Sequence, residues 1–117
     1  MKFPVIELVD RLAIAEIKWQ RTQANREELD WYQQQMMQFD TSLIAQNMQQ
    51  LRDIHNSIWE LEKELKLGQE HKLSLEEIGR RAIEIRNFNN RRIQLKNQMA
   101  ETLNCPVREI KKEHASE

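Results

Sequence analysis

The spacing of apolar residues predicts long amphipathic helices over most of the chain. The pattern is clearest after residue 43, where apolar residues recur at gaps of three and four, with Asn47 at one position of the series. The series consists of Ile44, Leu51, Ile54, Ile58, Leu61 and Leu65. A stripe of this kind faces partner helices, so we expect a helix over about 43–67 that packs inside a bundle.

The last predicted helix, from residue 75 to about 103, carries a similar stripe that polar residues interrupt. Its apolar members are Leu75, Ile78, Ala82 and Ile85, followed by Leu95, Met99 and Leu103. Between the two groups the same face reads Phe88, Asn89, Arg92 and Lys96. Because a buried charge without a partner is strongly destabilising, we expect these inward-facing side chains to meet opposite charges.

The first predicted helix differs from the others because apolar residues cover most of its circumference. These residues are Ile6, Leu8, Val9, Leu12, Ala13, Ala15, Ile17 and Trp19. A helix that is apolar nearly all round is buried, so we expect this helix to lie at the centre of the bundle. Its charged strip is then partly buried or faces a cleft, and consists of Glu7, Asp10, Arg11 and Lys18.

Residues that start or stop helices divide the first third of the chain. Pro4 opens the first helix, which runs to about residue 22, because proline is favoured in a first helical turn. Asn25 followed by Glu28 is typical of a helix start and predicts a second helix over 26–38. A single kinked helix over 5–38 is equally allowed, since no strong helix-breaking residue separates the two.

Later signals mark the remaining helix ends. The residues Phe39–Ser42 interrupt the helical pattern before the third helix, and Gly68 is a predicted C-cap that ends this helix. Ser74 and Glu77 have the spacing of a capping box, which marks the start of the last helix. Pro106 then ends the helical region, because proline cannot continue a helix.

Together the elements predict an all-α fold, an antiparallel bundle of three to four long helices. We expect one helical domain over 1–106 and a polar tail over 107–117. With 2 Gly and 2 Pro in 117 residues, the chain has too few turn-forming residues for a β-sandwich or a β-barrel. Because long helices in a small bundle leave apolar seams exposed, we also expect a homodimer.

Charge and cysteine content narrow the classes of function. A formal net charge of −1 gives no general attraction to nucleic acid or to anionic membranes, so we expect no membrane partner. The same charge disfavours nucleic-acid binding by the basic segment 80–96, which is kept as a third alternative function. No apolar run approaches the roughly 20 residues of a bilayer span. Cys105 is the one cysteine, which excludes an internal disulfide and a cysteine-based zinc site. A lone thiol and the lack of a signal peptide predict a cytoplasmic protein.

The polar positions on the inner faces form the candidate site. We expect the first and last helices to bring together Glu7, Asp10, Lys18, Asn89, Arg92 and Lys96. One interpretation is a network of ion pairs that holds the helices together. The other is a pocket for an anionic small ligand, because arginine binds phosphate and carboxylate through paired hydrogen bonds. A metal-assisted version of this second interpretation places Glu7, Asp10 and Glu62 on a divalent cation.

Two ring side chains lie beside the stripe of the third helix. Trp59 is interpreted as a core or interface residue, with stacking on a sugar or base as the alternative. His55 is interpreted as a packed or hydrogen-bonded residue, because the three histidines lack the spacing of metal ligands. No catalytic residue can be identified from the sequence, and we expect no resident metal and no cofactor.

Three blocks of the sequence resemble a family of small uncharacterised bacterial helical proteins. Residues 6–18, IELVDRLAIAEIK, are similar to the opening of that family, GELVDKLTILEIK. Residues 59–62, WELE, resemble its LWDIED segment, and residues 89–96, NNRRIQLK, resemble its NDRRxxLK block. The chain departs from the family at Ile6, Arg86 and Asn90, where the family has Gly, Tyr and Asp.

The resemblance implies a set of candidate site residues and a context. The candidates are Glu7, Asp10, Lys18, Trp59, Glu62, Asn89, Arg91, Arg92 and Lys96. Some members of the family accompany genes for surface polysaccharides or glycosyl transfer. We therefore predict a small cytosolic protein-interaction module, accessory to bacterial surface-polysaccharide assembly. The alternative is a phosphate- or nucleotide-binding protein, or a metal-assisted hydrolase, that uses the acid–arginine cluster.

Overall fold

The computed structural model describes residues 4–66 and 70–104. In these ranges the chain forms four α-helices and two short 3-10 turns, Ser42–Ile44 and Glu70–Lys72, and no β-strand. The helices are α1 (Val5–Thr22), α2 (Arg26–Met36), α3 (Ala45–Lys66) and α4 (Leu75–Thr102). The predicted all-α fold is confirmed. The predicted helix end at Gly68 and the tail over 107–117 lie outside the described residues.

For residues 5–38 the sequence allowed either one kinked helix or two helices, and the structure has two, α1 and α2. Gln23 ends α1 in the left-handed conformation, with φ at 53°, and its N–H donates to the carbonyl oxygen of Trp19 at 3.0 Å. The helix start predicted at Asn25 is confirmed, but the Asn25 side chain does not cap α2. Instead its Nδ2 donates to the carbonyl oxygen of Ala15 at 3.1 Å and to Glu28 Oε1 at 3.0 Å. The turn is therefore held against α1.

The helix α1 lies at the centre of the fold, as its apolar pattern predicts. It contacts α2, α3 and α4. Its buried residues are Ile6, Leu8, Val9, Asp10, Leu12, Ala13, Ala15 and Ile17. Asp10 is the charged residue of this set, so α1 carries a carboxylate into the interior. No helix in the described residues, α1 included, is long and apolar enough to cross a membrane.

The helices α3 and α4 form an antiparallel hairpin beside α1. Near one end of the hairpin, the Arg81 side chain reaches the carbonyl oxygen of Leu61, and towards the other end Gln98 lines a groove with Gln50. The buried part of the predicted α3 stripe consists of Ile44, Leu51, Ile54 and Ile58, and its half-buried part of Leu61 and Leu65. The inward orientation predicted for this stripe is therefore confirmed.

The predicted stripe of α4 is buried only towards its C-terminal end. The buried apolar residues of α4 are Ile93, Met99 and Ala100. Within one chain, the predicted inward orientation is wrong for Leu75, which is 87% exposed, and for Ala82, which is also exposed. Length explains the difference: 18 residues make α1 about 27 Å long, whereas 28 residues make α4 about 42 Å long. Because α1 meets α4 at Arg92 and Lys96, the N-terminal half of α4 extends past α1.

Candidate functional site

Two carboxylates of α1 meet two cations of α4 inside the bundle. Glu7 and Asp10 are three residues apart and share one face of α1, and Arg92 and Lys96, four apart, share one face of α4. Arg92 Nη1 donates to Asp10 Oδ2 at 2.8 Å. Lys96 Nζ lies 3.2 Å from Glu7 Oε2 and 3.6 Å from Asp10 Oδ2. These four residues and His55 of α3 are named the charge cluster.

His55 completes the charge cluster from the side of α3. Its Nε2 lies 2.7 Å from Asp10 Oδ1, so both carboxylate oxygens of Asp10 have partners within the protein. The sequence predicts a packed or hydrogen-bonded His55 but does not place it beside Asp10. The available signal is spacing, because His55 follows Leu51 by four residues and precedes Ile58 by three, at the edge of the buried stripe.

The charge cluster is buried at its centre and open at one edge. The side chains of Asp10 and Lys96 are 4% and 5% exposed. Glu7 forms the open edge, with its side chain 37% exposed and its Oε1 lying 3.6 Å from Arg11 Nε. A cluster with this burial excludes water from the Asp10 contacts, which strengthens them but makes each unpaired charge more unfavourable.

The surroundings of Asp10 favour its ionised form. Burial alone raises the pKa of this carboxyl group, because the charged form loses its hydration. The hydrogen bond with His55 and the electrostatic attraction of His55, Arg92 and Lys96 outweigh that effect and hold the pKa below its usual value of 3.8. Asp10 is therefore a carboxylate at neutral pH, paired with the cations of α4.

We expect the stabilising contribution of the Asp10 carboxylate to disappear in acid. Because its pKa is lower in the folded chain than in the unfolded chain, the contribution is complete above about pH 3.8 and is lost as the pH falls through the folded-state value. Urea unfolding of the wild type and of Asp10→Asn over a pH series measures this. The difference between their free energies of unfolding should shrink as the pH falls below about 3.8. A difference independent of pH would contradict the assignment.

The nine candidate residues predicted from the sequence do not form one site. Four belong to the charge cluster, and three others, Lys18, Trp59 and Glu62, line a groove between α1 and α3. Asn89 is half-buried on α4 and makes no hydrogen bond to the charge cluster within the described part of the chain. Arg91 is exposed, with its guanidinium carbon 5.1 Å from the centre of the Phe88 ring.

Lys18 does not join the charge cluster, although the sequence analysis placed it there. Its Nζ lies 3.3 Å from Glu28 Oε1 of α2, and both side chains are largely exposed. Lys18 follows Asp10 by eight residues, which is about 12 Å along a helix. That distance carries Lys18 beyond the cluster and into reach of the neighbouring helix.

The groove between α1 and α3, named the α1–α3 groove, has a volume of about 260 Å³. Its apolar lining consists of Ile14, Ile17, Ile58 and Trp59, and its polar lining of Lys18, His55 and Glu62. His55 thus touches both the groove and the buried Asp10. The sequence predicts Lys18, Trp59 and Glu62 as site residues but not the isoleucines, because apolar residues that line a groove follow the same pattern as core residues.

A larger and more polar groove, of about 460 Å³, lies between α3 and α4. Its polar lining consists of Gln50, Asp53, Ser57, Arg91, Gln94 and Gln98. The cation Arg91 faces this groove, whereas its neighbour Arg92 binds Asp10. The two adjacent arginines therefore have different environments, a difference that the sequence did not predict.

The charge cluster is a poor match to the predicted metal-binding set. Glu7 and Asp10 already contact Lys96 and Arg92, whose positive charges repel a divalent cation. Glu62, the third ligand of that hypothesis, lies in the α1–α3 groove instead. Among residues 4–66 and 70–104, no three histidine, cysteine or acidic side chains are grouped so that they could hold a metal ion.

The resemblance of three sequence blocks to a bacterial family stays a prediction. The chain matches no protein-family model, no curated protein and no solved structure.

Proposed function

We propose that the chain is a small protein-interaction module. The observation that carries this proposal is that Asp10, the most buried carboxylate of the described residues, binds His55 and Arg92 through its two oxygens and has Lys96 beside it. Charges that are paired with one another inside a bundle fix which helix faces meet. In this proposal the charge cluster orients α1 on the α3–α4 hairpin, and binding occurs elsewhere on the surface.

The α1–α3 groove has the composition of a protein-binding surface. Protein interfaces combine an apolar and aromatic centre with a charged rim, and tryptophan is enriched among their strongest contacts. The groove offers Trp59 with Ile14 and Ile17, next to the charged side chains of Lys18 and Glu62. In the proposal, side chains from an amphipathic segment of a partner protein fill this groove.

The compartment, the process and the oligomeric state that we propose are based on the sequence. The resemblance described above supports a role in the bacterial cytoplasm, as an accessory to the assembly of surface polysaccharides. Long helices with exposed apolar seams support a homodimer. We propose these as the compartment, the process and the oligomeric state.

The alternative functions have weaker support from the geometry. An anion-binding pocket or a metal-assisted hydrolase needs charged groups that a ligand can reach. Arg92 and Lys96 already engage Asp10 and Glu7, and the Lys96 side chain is nearly inaccessible to water. A phosphate group would therefore have to displace a carboxylate that belongs to the fold, which is unfavourable.

Partner capture tests the proposed function. Immobilised wild type, Trp59→Ala and the control Trp31→Ala, a substitution outside the groove, are exposed to a lysate of the source organism and to purified glycan-assembly enzymes. We expect the wild type and Trp31→Ala to retain the same partner and Trp59→Ala to lose it, because an interface tryptophan contributes about 2 kcal/mol or more.

Thermal unfolding with added ligands tests the anion-binding and metal-assisted alternatives. Phosphate, nucleotides, sugar phosphates, Mg²⁺ and Mn²⁺ are added in turn to the wild type and to Arg92→Met. We expect no stabilisation by any of them. A ligand present at a hundred times its Kd adds about 2.7 kcal/mol to the free energy of unfolding. Stabilisation of that size in the wild type, absent from Arg92→Met, would favour the anion-binding alternative and contradict the proposal.

A further inference from the structure

One face of the N-terminal half of α4 is apolar but exposed. Leu75 is 87% exposed and Ile83 is 52% exposed. Between them Gly79 and Ala82 are also exposed, and a Cβ atom added at Gly79 would meet nothing within 4 Å. Their spacing places the four residues on one side of the helix. They are named the α4 face.

Two opposite charges flank the α4 face and have no partner in the described part of the chain. The neighbouring charges are paired along the helix, because Arg80 binds both Glu77 and Glu84. The side chains of Glu76 and Arg86, in contrast, form no ion pair or hydrogen bond with residues 4–66 or 70–104. Glu76 lies at the Leu75 end of the α4 face and Arg86 lies beyond the Ile83 end.

We propose that the α4 face is a homodimer interface on which two copies of the chain pair antiparallel. In such a pair centred level with Arg81, position 76 of each copy lies opposite position 86 of the other, and position 79 opposite position 83. Glu76 then meets Arg86 of the second copy, twice in the dimer. Ile83 fills the open space over Gly79 of the second copy, where the lack of a side chain lets the helices approach closely.

The order of the two charges selects a second copy as the occupant. A face with an acid at one end and a base at the other is complementary to itself after a two-fold rotation. Parallel pairing would instead place like charges side by side, which is unfavourable. The surface therefore fits the same surface of another molecule, in the antiparallel orientation.

The proposed dimer adds to the proposed function and rests on it, because its effect on binding depends on a partner that occupies the α1–α3 groove. The α4 face shares no residue with the α1–α3 groove, so a dimer built on it carries two copies of that groove. Two linked grooves bind a repeated or dimeric partner more tightly than one groove does. The dimer thus turns a weak single contact into a stronger double one.

Sedimentation of the full chain tests the interface itself. We expect a wild-type dimer and a monomeric Ile83→Glu variant at the same concentration, with unchanged helical content, because Ile83 is half exposed within one chain. Ile14→Glu is the matched control: Ile14 is an exposed isoleucine of the α1–α3 groove, and this variant should remain a dimer. A monomeric wild type, or a dimeric Ile83→Glu, would overturn the inference.

Charge reversal tests the antiparallel register. Glu76→Arg and Arg86→Glu should each raise the Kd of the dimer about tenfold, because each puts two like-charged pairs into the interface. The double variant carries the same pairs with signs exchanged, so its Kd should return to within about threefold of the wild type. Single variants without effect, or a double variant without recovery, would show that any dimer uses another surface.

The dimer and the proposed function can fail separately. If Trp59→Ala loses the partner but remains a dimer, the result supports partner binding in the α1–α3 groove independently of the α4 face. A monomeric wild type that still captures its partner through Trp59 overturns the dimer and leaves the groove. A wild-type dimer that Ile83→Glu dissociates, together with equal capture by Trp59→Ala and the wild type, supports the α4 face and overturns the groove.

Discussion

Replacing Asp10 by alanine should lower the free energy of unfolding by about 3–5 kcal/mol. The substitution removes the hydrogen-bond partner of His55 and Arg92 and the near neighbour of Lys96. Two cations then remain in a site from which water is excluded, and Glu7 at the open edge can balance one of them. Because small domains are stable by about 5–15 kcal/mol, this loss removes a large share of the total.

Asp30→Ala is the matched control for this substitution. Asp30 also pairs with an arginine, since its Oδ1 lies 3.1 Å from Arg26 Nε, but both side chains are largely exposed. A surface pair of this kind contributes at most about 1 kcal/mol. Urea unfolding followed by circular dichroism at neutral pH measures both variants. Equal losses in Asp10→Ala and Asp30→Ala would mean that burial does not strengthen the Asp10 contacts.

The meeting of Asp10 with Arg92 could be predicted from sequence because both residues interrupt apolar faces. On α1 the carboxylate lies among Leu8, Val9 and Leu12, and on α4 the cation lies where the apolar stripe turns polar. A charge at an inward position requires a counter-charge, and few inward charges were available. This argument extends to Lys96 but not to Lys18, whose position on α1 does not say which neighbouring helix it reaches.

The exposed half of α4 shows what the apolar pattern cannot give. The spacing of Leu75 and Ala82 identifies the side of the helix on which they lie, but not whether another helix covers that side. Coverage depends on the relative lengths of α1 and α4 and on the place where they cross. The direction of the turn at Gln23 cannot be predicted from the apolar pattern either. This direction brings Lys18 to Glu28, and it depends on contacts that exist only in the folded chain.

Replacing the centre of the charge cluster by apolar side chains should restore the stability that Asp10→Ala loses. The variant combines Asp10→Leu, His55→Leu, Arg92→Met and Lys96→Met. Taking charges out of water is so unfavourable that well-packed apolar replacements of a buried ion-pair group are often neutral, or more stable by about 1–4 kcal/mol. Glu7 loses Lys96 but remains at the exposed edge with Arg11 beside it.

The same quadruple variant separates stability from orientation. If the charge cluster fixes how α1 crosses the hairpin, the variant should be as stable as the wild type but less uniquely packed, since apolar faces fit together in several ways. Dispersion of the amide signals in NMR spectra measures the packing, and urea unfolding measures the stability. A variant as unstable as Asp10→Ala would mean that the cluster stabilises the fold outright. A stable variant with amide dispersion like that of the wild type would mean that the cluster does not orient α1.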